Sequence, residues 1–442
     1  MKVSLARRGP SPCICYECHF VAIDTEFSGL HETLAHQFSL FDTPACRYKK
    51  MTSTFEDKKD GCFGVALFKF NGGTNEWHSC CYNFLIFPGA FDTISLAEPI
   101  MCQASSLTFL RLHNFDFNMW ISEGVPYLND LAASKVELYL KSRRSIFQNG
   151  SEIEKETLSS TAIYKKKLSG PGSATLSDDD IVNLVDDLKG FSRIIQAISA
   201  SRKIIVGHNA YVDFFLTYQE FCTDLPETYE EFKVNIVKIF PQIVDTKRLA
   251  HAIKDHFFSA TDNPDTLFDT ALLTDTNLFA LHFNTQMKEK FSPKIIPSEE
   301  YKTVLEQAAK RRIESIPDNL CHDAAFDACV TGCVFIQLAY LIQRPSLQFC
   351  SMHATARDQL YGCRRWFNVV NATRCTVPYI NLQGDDPVSH RPPLIVVVGH
   401  KTHSNLCGLI DKLHRDLPKF GDYDLKYQAG NIVIACGNPG WY

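Results

Sequence analysis

Four consecutive apolar residues, Phe20 to Ile23, lead directly into the acidic pair Asp24 and Glu26, which flank a single threonine. An apolar run without alternation is typical of a strand that is buried on both faces. Residues two apart on a strand point to the same face, so the two carboxylates would project together from the end of that strand. The segment therefore predicts a buried strand that ends in two neighbouring negative charges.

Two carboxylates in that arrangement need an explanation, because like charges repel and burial raises the cost further. A divalent cation between them removes the penalty, and hard oxygen ligands at this spacing suit magnesium or manganese. The alternative interpretation is a strand end whose acids simply face water, since acidic pairs mark functional sites only statistically.

Two later segments each place another acid near the start of a predicted helix. In the first, a strand at residues 203–206 precedes a Gly-His-Asn turn, with Asn209 as the predicted N-cap and Asp213 in the first turns of the helix. In the second, His322 stands at or just before the start of a long apolar helix that carries Asp327 one to two turns inside. Taken singly, each residue fits an ordinary capping or helix-dipole role. The combination argues against coincidence.

These three segments resemble the three exonuclease motifs of the DEDD superfamily, in its histidine-containing DEDDh branch. Within that branch the chain is similar to the deadenylase group, in particular to the poly(A)-specific ribonuclease (PARN) family and its piRNA-trimming members. The segments that carry the similarity include residues 20–30, 240–247 and 322–332. The resemblance covers residues 19 to 345 and continues more weakly into the C-terminal part.

The resemblance implies a fold and a reaction. The expected fold class is α/β, an RNase H-like DEDD exonuclease core with a mixed sheet flanked by helices, followed by an RRM-like α+β domain. The expected activity is metal-dependent 3′–5′ exoribonuclease hydrolysis that releases 5′-nucleotides by a two-metal mechanism. Asp24, Glu26, Asp213 and Asp327 would hold two Mg²⁺ ions, for which Mn²⁺ can substitute, and His322 would be the general base.

The resemblance also assigns four RNA-binding residues. Phe27 and Leu30 follow the first motif, where the family packs the terminal nucleotide, and an aromatic face supports any base by stacking. Lys247 matches a family lysine that contacts RNA, and Leu107 is a candidate on the same grounds. Without the resemblance, these residues would be interpreted as core and as a solvated charge. Nothing in the local sequence specifies adenine.

Changes in composition predict three regions of the chain. Residues 1–18 are expected to be a flexible N-terminus, residues 19–347 the nuclease domain, and residues 348–442 the RRM-like domain. Residues 143–178 are rich in Ser, Lys, Glu and Gly and are predicted to be a linker, where PARN carries an inserted nucleic-acid-binding domain. This stretch falls short of the roughly 40 residues that a metal-free domain needs.

Secondary structure outside the motifs is predicted from apolar runs and polar breaks. Loops are expected at 42–60 and, with a helix, at 259–297. Strands are expected at 64–70, 80–87, 365–371, 378–382, 394–398 and 431–436, and a helix at 403–417.

The charge balance is unusual for a nucleic-acid-binding protein, because the net charge is −5 and the pI about 6.3. Metal ions that meet the phosphate, helped by local basic clusters, would account for it. A basic cluster is more often a solvated surface. The candidates are Arg143–Arg144, Lys165–Lys167, Lys310–Arg312 and Arg364–Arg365.

The 17 cysteines, without an apolar secretion signal before them, predict reduced thiols and a cytoplasmic protein with a nuclear fraction. The longest apolar stretch, residues 328–342, is shorter than a membrane span and predicts a core helix, so no membrane association is expected.

The expected partner is RNA with a free 3′-OH, and the resemblance adds a homodimer and proteins of small-RNA pathways. Within the enzyme hypothesis, trimming of piRNA precursors competes with poly(A) removal, and the short linker favours trimming. The alternative from another class is a catalytically silent RNA-binding scaffold with a nuclease fold, against which the full set of acids argues.

Overall fold

The computed structural model describes most of the chain, in thirteen stretches. These are residues 16–29, 37–54, 60–88, 100, 102–142, 177–259, 273–285, 294–311, 323–347, 355–398, 411–413, 415–416 and 422–437. The predictions for residues 1–15, for the linker at 143–176 and for the first part of the helix at 403–417 lie outside these residues.

The strands of the described residues form two sheets, one of eight strands in the order β6-β3-β2-β1-β4-β5-β7-β8 and one of three in the order β10-β11-β9. Their bounds are β1 Phe20–Phe27, β2 Asp60–Asn71, β3 Glu76–Leu85, β4 Ile204–Gly207, β5 Ile243–Asp245, β6 Lys294–Ile296, β7 Val369–Asn371, β8 Tyr379–Asn381, β9 Ile395–Val397, β10 Tyr423–Gln428 and β11 Asn431–Cys436.

The large sheet is mixed, and β1 lies inside it. β1 pairs antiparallel with β2 and parallel with β4, so its backbone groups are bonded on both sides. Phe20, Val21 and Ala22 are completely buried. The apolar run in the sequence thus reflects layers that cover both faces of the sheet.

Helices supply those layers. They are α1 Pro44–Thr54, α2 Ala104–Leu112, α3 Phe117–Glu123, α4 Asp130–Ser142, α5 Asp178–Lys189, α6 Ser192–Ser201, α7 Tyr211–Thr217, α8 Tyr229–Ile239, α9 Thr246–Ser259, α10 Leu278–Asn284, α11 Glu299–Arg311, α12 Ala324–Leu347 and α13 Ala356–Tyr361. One face of the sheet packs against α1 and α6 to α8, and the other against α9 to α12. The prediction of an α/β fold with a mixed sheet flanked by helices is confirmed.

The central helix of the second layer is α12, which packs on β1 to β4 and on α9, α10 and α13. By length and composition alone its segment Ala324–Gln343 could cross a membrane, with a mean hydropathy of 1.8. However, 89% of that window is buried inside the fold. The predicted core helix is therefore confirmed.

Two predicted loops contain regular structure. The stretch 42–60 includes helix α1, which buries Arg47, Tyr48 and Met51. The polar composition of this stretch predicted a loop. Arg47 is nevertheless buried, and its guanidinium carbon lies 4.4 Å from the centre of the Phe38 ring. The stretch 259–297 includes strand β6, which pairs with the edge of β3.

The C-terminal part divides between the two sheets. Strand β7 pairs with β5 and with β8, so both extend the large sheet. The predicted boundary between residues 347 and 348 therefore does not separate the sheets. Only part of the predicted strand 365–371 is extended, because Arg364–Trp366 form a 3₁₀ turn. The other strands form the small antiparallel sheet, with β10 as an addition to those predicted.

Asp424 of β10 connects the small sheet to the rest of the molecule. Its carboxylate accepts hydrogen bonds from the Ser39 hydroxyl at 2.9 Å and the Leu40 amide at 2.6 Å, and pairs with Arg374. Arg374 follows β7 and also reaches Asp422 at 3.5 Å. We refer to these contacts as the Asp424 junction.

Candidate active site

The carboxyl end of β1 carries the two acids that the sequence pairs. Asp24 and Glu26 point to the face covered by α12, as do Phe20 and Ala22. Asp24 lies opposite Gly64 of β2. A Cβ atom at Gly64 would come within 1.9 Å of the Ala324 carbonyl oxygen, so glycine allows the start of α12 to approach the strand.

This approach brings a third acid to the strand. Oxygen atoms of Asp24, Glu26 and Asp327 all lie within 4.8 Å of one another. Glu26 and Asp327 are buried and Asp24 is partly buried. Residues about three hundred positions apart thus form one cluster, which we call the carboxylate cluster.

Asp213, the fourth predicted acid, lies beside the carboxylate cluster rather than within it. It stands in the first turn of α7, on the opposite layer, and is 9% exposed. The Thr25 hydroxyl donates a hydrogen bond of 2.7 Å to its Oδ1. The residue between the two acids of β1 therefore fixes the position of the acid on the neighbouring helix.

The start of α12 is held by Asp323, which sequence reasoning did not select. Its carboxylate accepts hydrogen bonds from the Phe326 amide at 3.0 Å, the Tyr301 hydroxyl at 3.2 Å and the Asn83 amide at 3.1 Å. The available signal was its place directly before a helix, where an acid caps the first turn. The contacts fix the helix that carries Asp327.

Burial and mutual repulsion perturb the acids. The pKa of Asp24 is raised well above its usual range, first by burial and then by the charges of Asp327, Asp213, Glu26 and Asp323. The pKa of Glu26 is also raised well above its usual range, first by burial and then by the charges of Asp327, Asp213 and Asp323. Burial also raises the pKa of Asp213 to about 6, although the Thr25 hydrogen bond opposes this. A bound cation would reverse these shifts.

A second buried carboxylate, Asp245 at the end of β5, organises the neighbouring loops. It accepts hydrogen bonds from the backbone amides of Asn209, Ala210, Lys247, Arg248 and Asn371, at 2.9 to 3.2 Å. Asn209 is not the N-cap that the sequence predicts. It has a left-handed backbone with φ 56°, and Ala210 precedes the helix.

His208 is the histidine that the described residues place next to this strand end. Its Nδ1 lies 2.9 Å from the Thr246 hydroxyl. Burial, followed by the positive charge of Lys247, lowers the pKa of His208 to about 3. The ring therefore stays neutral near pH 7.

The remaining predicted site residues have different outcomes. His322 and Leu30 lie outside the described residues. Phe27 is partly buried and packs against the core, as its alternative interpretation proposed. Leu107 is partly buried on α2, and Lys247 is partly buried in the first turn of α9. The roles of all of these residues stay predictions.

The carboxylate cluster fits a divalent metal ion. It offers only oxygen ligands, which magnesium and manganese prefer. The acids would otherwise bury several repelling charges, at a cost that protonation or a cation must relieve. Asp24, Glu26 and Asp327 are the residues that could share one ion.

Comparison with known proteins identifies a family over most of the chain. A family model described as CAF1 family ribonuclease matches residues 15–335. The matched region contains the carboxylate cluster, Thr25, Asp213, helix α7 and the first half of helix α12.

Curated relatives match over nearly the whole chain. Poly(A)-specific ribonuclease PNLDC1 of Mus musculus is 27% identical, over 86% of this chain and 78% of the relative. The pre-piRNA 3′-exonuclease trimmer of Bombyx mori is 26% identical, over 92% of this chain and 82% of the relative. Poly(A)-specific ribonuclease PARN of Homo sapiens is 26% identical, over 84% of this chain and 66% of the relative.

Among solved structures, the Mg²⁺- and Mn²⁺-bound form of Pop2p from S. pombe is 15% identical and covers 79% of this chain and 92% of that chain, with a TM-score of 0.36.

Proposed function

This chain belongs to the CAF1 family of ribonucleases, and on that premise we propose that it is a two-metal 3′–5′ exoribonuclease that trims the 3′ ends of small RNAs. The observation that carries the proposal is the carboxylate cluster, in which three acids from two distant segments lie within 4.8 Å of one another. Such a cluster is what a two-metal hydrolase needs at the reacting phosphate.

The residues have separate tasks in this proposal. Asp24, Glu26 and Asp327 hold one divalent cation, and Asp213 beside them contributes to a second. Magnesium is the expected ion, and manganese can substitute. The bound cations would supply Lewis-acid polarisation of the phosphoryl oxygens and neutralise developing charge. His322 would take the proton of the attacking water, and its ordinary pKa of about 6.5 suits this role near neutral pH.

One observation supports small RNAs over poly(A) tails. About 35 residues lie between α4 and α5, fewer than the roughly 40 that a metal-free inserted domain needs. Poly(A) removal remains the competing activity, because relatives at the same identity carry that name. Homodimerisation and small-RNA pathway partners stay predictions.

The experiment is a gel of 5′-labelled RNAs incubated with the full chain and Mg²⁺. One RNA ends in a run of A and another in mixed sequence, and each is also made with a 2′-O-methylated 3′ end. The expected result is a ladder on both unblocked RNAs, which EDTA abolishes. Asp24→Asn and Asp327→Asn should each reduce the rate by at least about 100-fold, because each removes a ligand charge from the reaction centre.

Other outcomes of the gel separate the alternatives. A ladder confined to the A-tailed RNA would replace trimming by deadenylation. RNA binding without shortening, by a folded protein in Mg²⁺, would favour the scaffold. Near-normal turnover by Asp24→Asn would contradict the assignment of the metal site. Asp385→Asn, at an exposed acid far along the chain, is the matched control.

A further inference from the structure

Of the four basic clusters in the sequence, only Arg364–Arg365 has side chains within the described residues. It lies in the 3₁₀ turn after the short helix α13. Three arginines and two aromatic residues share this surface, which we call the α13 patch: Arg357, Tyr361, Arg364, Arg365 and Trp366. The three arginines are exposed, and Tyr361 is 39% exposed.

The α13 patch is built on a fixed support rather than on a loose loop. Thr355 and Asp358 form a capping box at the start of α13. Leu360 and Cys363 are buried in the core that surrounds α12. The Gln343 side chain of α12 donates a hydrogen bond to the Asp358 carbonyl and packs on Gly362. The arginines therefore project from a rigid frame, which lowers the entropy lost when they bind a ligand.

Two arginines of the patch have no acidic partner among the residues that the structure describes. Within those residues, neither Arg364 nor Arg365 forms an ion pair. The third arginine, Arg357, interacts with Asp358, whose carboxylate also accepts hydrogen bonds from the Thr355 hydroxyl at 2.6 Å and amide at 3.1 Å. Three guanidinium groups near one capped carboxylate form a positive site on a chain of net charge −5.

Two of the guanidinium groups lie beside aromatic rings. The Arg365 guanidinium carbon lies 3.9 Å from the Trp366 ring centre, and that of Arg357 lies 5.9 Å from the Tyr361 ring centre. Planar guanidinium groups and accessible rings, such as the exposed Tyr361 and the partly buried Trp366, are surfaces on which unpaired bases stack, while the same arginines bind phosphates. A compact acidic peptide would use the charges but not the planar surfaces.

The position of the patch sets the length of RNA that can reach it. Gln343, which contacts α13, lies sixteen residues beyond Asp327 on one helix, or about 24 Å at 1.5 Å per residue. At about 3.4 Å per stacked nucleotide, a stacked RNA whose 3′ end lies at the carboxylate cluster needs about seven nucleotides to reach the patch, and a fully extended strand needs roughly half as many.

We propose that the α13 patch is a second RNA-binding site, which holds the single-stranded body of the substrate upstream of its 3′ end. This inference rests on the proposed function. It assigns the patch to phosphate and base-stacking contacts that are independent of sequence.

The test compares the wild-type full chain with Arg364→Glu/Arg365→Glu. Fluorescence anisotropy in EDTA measures the affinity for a 30-nucleotide RNA without hydrolysis. The affinity should fall at least tenfold, and the slope of log K against log salt should decrease by about 1.4, for two phosphate contacts on a single strand. In Mg²⁺, kcat/KM on a 3-nucleotide RNA should be unchanged, because that RNA is too short to span both sites even when it is extended.

Lys135→Glu/Lys141→Glu on α4 changes the net charge equally at another exposed surface and is the matched control. Circular dichroism and thermal unfolding check that both variants fold. The proposal is overturned if the control loses as much affinity, if the 3-nucleotide RNA is affected equally, or if the affinity for the long RNA is unchanged. A patch that binds only an acidic peptide, such as poly-glutamate, would give this last result. Absence of hydrolysis would count against the proposed function alone, since binding is measured separately.

Discussion

At the scale of single residues, Asp24 opposes the folding of the metal-free protein. Its pKa is raised, so the folded state holds its proton more tightly than the unfolded chain does. At low pH the protonated Asp24 side chain does not destabilise the fold. Folding stability then decreases as the pH rises from the unfolded pKa, near 4, through the raised folded value. Asp213 behaves in the same way, between about 4 and its raised pKa of about 6.

Asp24→Asn should therefore raise the Tm of the metal-free protein at pH 7 and flatten its decrease with pH. The same variant should show a smaller rise in Tm when Mg²⁺ is added, because a ligand is missing. Differential scanning calorimetry in EDTA and in Mg²⁺ measures both effects. Asp385→Asn, at an exposed acid, should change neither. A lower Tm for Asp24→Asn in EDTA would contradict the buried-charge argument.

The sequence predicted this part of the site because its signal is local. Asp24 and Glu26 are two residues apart at the end of one apolar run, so strand geometry alone brings them together. Thr25 and Asp323 were missed, since a hydroxyl or a capping acid looks ordinary until its partner from another segment is known. Asp245 lies in the segment 240–247, which carries the family resemblance, but its structural role was missed because its five backbone donors come from three separate segments.

At the scale of elements, the decisive contact is the start of α12 against β2. Gly64 has no side chain at the point where the Ala324 carbonyl would meet one. This spacing determines how far Asp327 lies from the two acids of β1. The geometry of the carboxylate cluster therefore depends on a glycine that carries no functional group.

Gly64→Ala should displace α12 and weaken the carboxylate cluster. We expect a loss of about 1–3 kcal/mol in the free energy of unfolding, typical of overpacking. Mn²⁺ affinity and nuclease rate should fall as well. Urea unfolding and isothermal titration with Mn²⁺ measure these changes.

Gly72→Ala is the matched control, because its new methyl group would meet its nearest neighbour, an atom of Phe70, at 3.8 Å. Equal effects of the two variants would show that the close contact at Gly64 is not the cause.

Sequence patterns identified the long elements better than the short ones. β2 and α12 have enough residues to show their type, whereas β6 and β7 have three residues each and gain their strand conformation from pairing. Helix α1 was predicted as a loop because its buried face includes an arginine. In each case, tertiary contacts outweighed local preference.

At the scale of the whole molecule, the Asp424 junction links the small sheet to the nuclease core. Asp424→Ala would leave the Leu40 amide and the Arg374 guanidinium without this acceptor. We expect a loss of about 2–3 kcal/mol in docking of the small sheet, since hydrogen bonds to charged groups contribute about 1.5–3 kcal/mol each and do not simply add.

Hydrogen exchange should accordingly accelerate in β10 and β11 and leave β1 protected. Asp422→Ala should have a weaker effect, because Asp422 is half exposed and lies 3.5 Å from Arg374. Equal acceleration in β1 would mean that the two sheets unfold as one unit.

The late strands β7 and β8 have a consequence for how the protein is made. Asp24 leaves the ribosome early, but the sheet that surrounds it is completed only when Asn381 has been synthesised. At 5–20 residues per second this interval is on the order of half a minute. The carboxylate cluster itself cannot form before Asp327 has been synthesised, because that residue supplies its third carboxylate. A ribonuclease assembled in this order therefore lacks its metal-binding cluster while the chain between Asp24 and Asp327 is being made.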